Sequence, residues 1–360
     1  MKIITVVGTR PELIRLSLII PKLDQYCDHI LVHTGQNYDD RLNKIFFNDL
    51  GIRKPDYELG VRGDMFGEQI GKILIEGEKV LRKEKPDRVL ILGDTNSSLV
   101  SIIAKRMGIP VYHMESGNRC FDDRVPEEVN RRLIDHCSTI LLPYTHRSKE
   151  NLLREGISIE RIYVTGNPIY EVLETFSDKI QASTTLGDLE LQAEKYFLAT
   201  YHREENVDIE ERLRSIVLAL EKLQEKYDYP IICSVHPRTR KRMQTIKIKS
   251  SNDKIRFLQP LSFFDFVALE KSAFCVLTDS GTVQEECCIF KVPNVTIRDV
   301  TERPETIECG SNILSGVYNY KIVDCVNSAV SEPNVWEAPP EYVQRNVSSV
   351  VLKIILGYRV

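Results

Sequence analysis

Short apolar, β-branched runs recur along the chain, each closed by turn residues. KIITVV, ILVHT, RVLILG, VYHM, TILLP and RIYVTG come before residue 170, and YFLATY, YPIICSV, IRFL, FCVLT and PNVTI after it. Helix-length amphipathic stretches, such as 209–226 and 281–290, separate them. Runs that are apolar at nearly every position suit strands covered on both faces. Their alternation with helical stretches predicts parallel sheets wrapped by helices. The scheme occurs twice, so the predicted class is α/β with two doubly wound sheets.

The chain has 360 residues, more than the roughly 250 to 300 at which a single core stops growing. A polar Ser/Thr/Gly segment after Pro168 places the boundary near 170–192. The expected domains are residues 1–170 and 171–341, with a helix-like stretch at 342–360 that can pack back on the first.

Composition narrows the setting. Hydrophobic residues make up 42% and charged residues 28%, and no run approaches the ~18 apolar residues of a membrane span. The apolar start MKIITVV stops at Gly8 and reads as a buried strand rather than a signal segment. Nine cysteines without a CxxC pair suggest a reduced, cytoplasmic chain with neither a disulfide framework nor a metal site. A net charge of -4 with the signs interspersed offers nucleic acid no field. The basic stretch Arg238–Arg242 reads as a solvated helix face.

Ligands of open parallel sheets bind outside the carboxyl ends of the strands, so polar residues directly after apolar runs are the candidates. Gly8, Thr9, Arg10, Pro11 and Glu12 follow the first run, with Arg10 aimed at an anion. Asp94 follows RVLILG, Glu115 follows VYHM, and Pro126 starts a helix with Glu127 and Glu128 in its first turn. Taken singly, each acid is as readily a helix cap or a partner of the helix dipole. Several acids at one rim favour acid/base chemistry, because clustered carboxylates raise one another's proton affinity.

In the second half His202 and Arg203 follow YFLATY, and His236 follows YPIICSV. Thr278-Asp279-Ser280-Gly281 precedes a helix whose free N–H groups suit a diphosphate, with Gly281 permitting close approach and Glu286 within reach of a ribose diol. The alternative is an ordinary N-cap with acids on a solvated face. Neither GxGxxG nor GxxxxGK[ST] is present, which argues against NAD and ATP.

Together these segments resemble the non-hydrolysing UDP-N-acetylglucosamine 2-epimerase family. Its marks VVGTRPE, LGDTNS, HMESGNR, VPEEVNRR, TGNP, YHREEN, TDSGTVQEE and RDVTERPE run in family order over nearly the whole chain. The resemblance implies two Rossmann-like domains facing a central cleft, in the glycosyltransferase-B manner, in a homodimer. It implies a UDP-linked 2-acetamido sugar as substrate and C2 inversion by elimination and re-addition of UDP through a 2-acetamidoglucal. The resemblance also implies that neither cofactor nor metal takes part. By motif position Asp94, Glu115, Glu127 and His202 correspond to the catalytic set. Arg10, Arg15, His236, Phe266, Ser280, Gly281, Glu286 and Arg303 correspond to the UDP- and substrate-binding set.

The chain departs from the family pattern in three places. Gly35-Gln36-Asn37-Tyr38-Asp39 stands where typical bacterial members have a Gln-His-Arg stretch that helps bind a second, activating UDP-sugar. The loop Asn118–Arg124 and the stretch His236–Arg240 also differ. These variants resemble the branch that makes UDP-N-acetyl-L-fucosamine from UDP-2-acetamido-2,6-dideoxy-L-talose for capsule or O-antigen synthesis. The alternatives are UDP-GlcNAc as substrate, giving UDP-ManNAc, and, more distantly, a glycosyltransferase of the same architecture.

Overall fold

A computed structural model of the chain describes residues 1–35, 47–63, 65–248 and 252–357. Of the variant stretch after the second strand, Gln36 to Asp39 lie outside the described residues. The chain divides into two compact units, Met1–Glu174 with Pro340–Val360, and Thr175–Pro339.

The first unit holds β1 (Lys2–Val7), β2 (Asp28–His33), β3 (Tyr57–Glu58), β4 (Arg88–Leu92), β5 (Val111–Met114) and β6 (Ile140–Leu142). They form a parallel sheet in the order β3-β2-β1-β4-β5-β6. Its helices include α1 (Arg10–Leu16), α2 (Ile19–Tyr26), α3 (Phe66–Glu84) and α4 (Pro126–Cys137). On one face Ile4, Val6, Val89 and Ile91 pack with Val80 and Leu81 of α3 and with Val100 and Ala104. The alternate residues Ile3, Val7, Leu90 and Leu92 are buried as well, so the strands are apolar throughout rather than every second residue.

The second unit repeats this order as β12-β11-β10-β7-β8-β9. Its strands are β7 (Phe197–Thr200), β8 (Ile231–Ser234), β9 (Ile255–Leu258), β10 (Cys275–Thr278), β11 (Asn294–Thr296) and β12 (Asn312–Leu314). Its helices include α5 (Glu210–Tyr227), α6 (Phe263–Lys271), α7 (Gly281–Phe290), α8 (Pro304–Glu308) and α9 (Asn319–Ser331). Leu213, Ile216 and Leu220 of α5 and Ile322 and Val326 of α9 cover one face. Leu269 of α6 and Val283 and Cys287 of α7 cover the other. No helix among the described residues is long and apolar enough to cross a membrane.

The last helix, α10 (Val347–Gly357), belongs to the first unit and packs on α2. Lys22 Nζ donates to Ser348 Oγ at 2.6 Å, and the Ser348 backbone N–H donates to Glu171 at 2.8 Å.

One local expectation is corrected, and two strands are added to those expected. RIYVTG is no strand: it makes one bridge, Leu141 with Ile162, and two backbone bonds, from Tyr163 to Leu141 and from Thr165 to Pro143, the residue after β6. The edge strands β3 and β12 are two and three residues long, too short to leave a period in the sequence. The basic stretch does lie on an exposed helix face, where Arg238 makes surface ion pairs with Asp208 at 2.5 Å and with Glu204, and Arg242 donates to the Asp208 carbonyl at 3.0 Å.

Gly8, directly after β1, shows how tightly the strand ends are packed. A Cβ there would lie 2.0 Å from Ser97 Oγ and 2.4 Å from Thr34 Oγ1, two hydroxyls already bonded to each other at 2.7 Å. Gly8→Ala is expected to lower stability by about 1–3 kcal/mol, read as a fall in the urea midpoint. Ser97→Ala in the same chain should restore part of the loss.

Candidate active site at the strand ends

In the first unit the winding reverses between β1 and β4: β2 and β3 lie to one side of β1, β4 to β6 to the other. The loops leaving β1 and β4 therefore diverge and leave a crevice at their carboxyl ends. Glu12, on the first turn of α1, bridges it. One carboxylate oxygen accepts from the Gly8 and Thr9 backbone at 2.8 and 2.6 Å and from Thr9 Oγ1 at 2.8 Å; the other accepts from Thr95 Oγ1 at 2.8 Å. Thr95 is the neighbour of Asp94, so Glu12 ties the β1 loop to the loop that carries a predicted acid. Glu12 is fully buried, and burial raises its carboxyl to about 7, against the pull of these hydrogen bonds.

Asp94 and Glu115 leave adjacent strands, since Leu92 pairs with Met114. Arg131 Nε of α4 donates to Asp94 at 2.8 Å, and Asn130 donates to the Asp94 carbonyl at 3.0 Å. Glu115 has Arg15 Nε at 3.7 Å and accepts from Asn118 Nδ2 at 3.3 Å. Its φ of 63° lies in the left-handed region, which a non-glycine residue holds only when its surroundings dictate it. A Cβ on Gly93 would sit 3.8 Å from Glu115 Oε2, so the residue before Asp94 faces the Glu115 carboxylate. The sequence suggested acids opposed by one another; the structure sets a guanidinium beside both Asp94 and Glu115.

Glu127 and Glu128 separate cleanly. Glu128 is buried and accepts from the Cys120 and Phe121 backbone at 3.0 and 3.1 Å and from Arg131 at 2.8 Å. Burial opposes its ionisation, but these donors outweigh burial and hold its carboxyl below the ordinary value. It anchors the loop before α4. Glu127 remains partly exposed, one turn ahead of Arg131 on the same helix face.

Beneath the rim, His113 Nδ1 lies 2.8 Å from Asp135, which also accepts from Arg119 at 2.8 Å and from the Gly117 backbone at 3.1 Å. Arg119 reaches on to Glu155 at 2.7 Å. The start of the variant loop is thus built into the scaffold, and Phe121, at 71% exposure, points out of it. Arg15 is buried, whereas Arg10 at the start of α1 is half-buried.

The second unit reverses its winding between β7 and β10, so the segments after those strands adjoin. Asp279 is fully buried and gathers them. It accepts from the His202 and Arg203 backbone at 3.0 Å each and from Asn206 Nδ2 at 3.1 Å. His202 Nδ1 stands 3.4 Å from Asp279, with its ring 6.2 Å from that of His236. His236, after β8, caps its own helix, accepting from the Arg238 N–H at 3.3 Å.

Ser280 precedes α7 and shares a 2.8 Å hydroxyl contact with Thr282. A Cβ on Gly281 would meet Glu302 Oε1 at 2.7 Å and Arg303 Cζ at 3.5 Å, so the 301–303 segment lies against the first turn of α7. Arg303 pairs with Glu285, and Arg298 with Glu302 at 2.8 Å. Glu286 is buried on α7. Phe266 is half-buried against Val283, Leu269 and their neighbours. Among the described residues no group of His, Cys, Asp and Glu is arranged to hold a metal ion.

Glu12 and Asp279 stand in segments the sequence pointed to but received no role there, and Arg131 and Glu302 were not singled out. Glu12 left a signal, the Thr9-x-x-Glu12 capping box. For the others at least one partner is remote in sequence: Asp94 for Arg131, the His202 and Arg203 backbone for Asp279, and Arg203 for Glu302.

Because the Glu12 carboxyl is raised when folded, the native state binds its proton more tightly than the unfolded chain. That contribution is present at low pH and is lost as pH climbs from the ordinary carboxylate range through about 7. Glu12→Gln can keep the bonds to Gly8, Thr9 and Thr95, so it should fold and show a shallower loss of urea stability between pH 5 and 8. An unchanged slope would remove Glu12 as the source.

Comparison with known proteins agrees with this arrangement. The sequence profile of the family described as UDP-N-acetylglucosamine 2-epimerase matches residues 22–356. The UDP-N-acetylglucosamine 2-epimerase of Methanocaldococcus jannaschii is 44% identical over 94% of this chain and 95% of its own length. Its crystal structure with UDP-GlcNAc and UDP superposes with a TM-score of 0.93 at 43% identity, covering 99% of each chain. The UDP-2,3-diacetamido-2,3-dideoxy-D-glucuronate 2-epimerase of Pseudomonas aeruginosa is 37% identical over 92% of this chain and 93% of its own. The glycosyltransferase VinC shares the fold alone, at 12% identity and a TM-score of 0.52. With its two sheets of one strand order and its motifs at both reversal points, the chain belongs to the UDP-N-acetylglucosamine 2-epimerase family of isomerases.

Proposed function

We propose that the protein inverts C2 of UDP-GlcNAc, giving UDP-ManNAc. The observation that carries this reading is the set of acids at the first reversal point, with Asp94 and Glu115 each held by an arginine. The kinship to relatives bearing the UDP-N-acetylglucosamine 2-epimerase name supports it.

The chemistry asks for a base at a weakly acidic C–H bond and for stabilisation of a departing diphosphate. A carboxylate of the Asp94, Glu115 and Glu127 set takes the C2 proton. The C1–O bond breaks, UDP leaves with the electron pair, and a 2-acetamidoglucal forms. After the intermediate turns, C2 is protonated on its other face and the diphosphate oxygen re-adds at C1. Arg131 and Arg15 keep their carboxylates aimed at the reacting carbon. Ser280, Gly281, His202 and Arg303 receive the diphosphate, Glu286 the ribose, and Phe266 the uracil, with Arg10 and His236 completing the substrate-binding set. Asp279 orients His202. The reaction takes place in the cytoplasm, in a homodimer.

A second reading keeps the chemistry and changes the sugar to UDP-2-acetamido-2,6-dideoxy-L-talose, giving UDP-N-acetyl-L-fucosamine for surface polysaccharide. Its support is the variant loop, of which Asn118 bonds Glu115 and Phe121 stands exposed.

Purified protein incubated with each UDP-sugar in deuterium oxide tests both readings. UDP-ManNAc carrying deuterium at C2, seen by NMR without any acceptor, supports the first. Turnover of the talose derivative alone supports the second, and no exchange with either defeats both. Asp94→Asn, Glu115→Gln and Glu127→Gln should each cut exchange by at least a hundredfold (about 2.7 kcal/mol) while UDP binding by calorimetry persists. Near-normal exchange in any one removes that residue from the set.

A further inference from the structure

The chain has a second reactive constellation, unconnected with acid/base work. Cys288, buried on α7, and Cys309, half-buried just after α8, hold their sulfurs 3.6 Å apart. Cys309 Sγ also lies 3.4 Å from Ser311 Oγ and 3.5 Å from the Thr306 carbonyl. The remaining cysteines of the second unit face elsewhere; Cys287, next to Cys288, points to Glu270 at 3.3 Å.

We propose that Cys288 and Cys309 form a peroxide-sensitive dithiol that closes into a disulfide and weakens UDP binding at the start of α7. The coupling half of this inference rests on the assignment of Ser280 and Gly281 to UDP; the disulfide half does not.

The chemistry favours Cys309 as the attacking group. The 3.6 Å contact between the two sulfurs favours a single shared proton, and the contact with Cys288 and with Ser311 lowers the half-exposed Cys309 thiol while the contact and burial raise Cys288. A half-exposed thiolate is the form that peroxide oxidises. The Cys309 thiolate attacks hydrogen peroxide, an S–O bond forms, the O–O bond breaks and hydroxide departs, taking up a proton as water. The Cys288 sulfur then gives up its proton and attacks the sulfenic sulfur; the S–S bond forms, the S–O bond breaks and a second water leaves. Two thiols are oxidised and one peroxide is reduced to two waters.

A disulfide requires the sulfurs to close from 3.6 Å to ~2.05 Å. The motion is transmitted through bonded neighbours. Thr306, one turn before Cys309, donates to the Arg303 carbonyl from its backbone at 3.1 Å and from its hydroxyl at 2.8 Å. The Arg303 N–H donates to Thr301 Oγ1 at 3.0 Å, and Thr301 donates to Gln284 at 2.7 Å. This segment carries the Glu302 and Arg303 side chains that lie against Gly281.

The test uses the full chain, reduced and then exposed to stoichiometric hydrogen peroxide. The expected product is two hydrogens lighter and yields a peptide linking residues 288 and 309, reversed by dithiothreitol. It binds UDP at least threefold more weakly by calorimetry than the reduced protein. Cys288→Ser and Cys309→Ser should bind UDP like the reduced protein and show no such loss with peroxide. Absence of the linked peptide overturns the disulfide. A linked protein with unchanged UDP affinity overturns the coupling. If the reduced protein binds no UDP, the nucleotide assignment fails and the coupling with it, while the linked peptide still decides the disulfide.

Discussion

A parallel sheet must send each connection across one of its faces, and the chain stays on one side until its winding reverses. At the reversal two neighbouring strands end with their loops drawn apart, and backbone and side chains there remain uncovered by crossovers. This constraint operates twice in the protein, between β1 and β4 and between β7 and β10. Many of the candidate residues follow the strands at these points. Gly8, Glu12, Asp94 and Thr95 occupy the first, and His202, Arg203, Asp279 and Ser280 the second.

The reversal supplies room, and buried charge supplies aim. A carboxylate out of water persists only where donors replace its hydration. Asp135 satisfies that rule with His113, Arg119 and the Gly117 backbone, Glu128 with two backbone N–H groups and Arg131, and Asp279 with three groups that follow β7. These three acids hold loops, and the loops hold the partly exposed Asp94, Glu115, Glu127 and His202. Arg131 links the two classes, since one guanidinium serves buried Glu128 and the candidate acid Asp94. The second unit extends the same logic to the segment behind α7, where Arg298, Glu302, Arg303 and Glu285 interlock against Gly281.

Much of this was legible beforehand. Ten of the twelve strands among the described residues coincide with apolar runs, because a strand covered on both faces must be apolar at successive positions. The helices at 210–227 and 281–290 were equally plain. RIYVTG misled because its composition is that of a strand, while its neighbour β6 is three residues long and is followed by Pro143. Glu127 and Glu128 illustrate the other limit. The two are adjacent, chemically identical and alike at a helix start, and only the packing of the Cys120–Phe121 backbone against one of them assigns it to the scaffold.

By itself, then, the sequence determined most of the strands, the longer helices, the residues that follow them, and the family, since all of these are written in contiguous segments. Tertiary structure alone decided the strand order that converts those segments into two rims, and the pairings across it. Arg131 meets Asp94, Arg15 approaches Glu115, Asp279 gathers the segment after β7, and Cys288 touches Cys309. The physical reason is range. Hydrophobic period and turn chemistry act between neighbours in sequence, whereas a salt bridge or a thiol contact depends on where the sheet brings distant residues, and no local pattern records that.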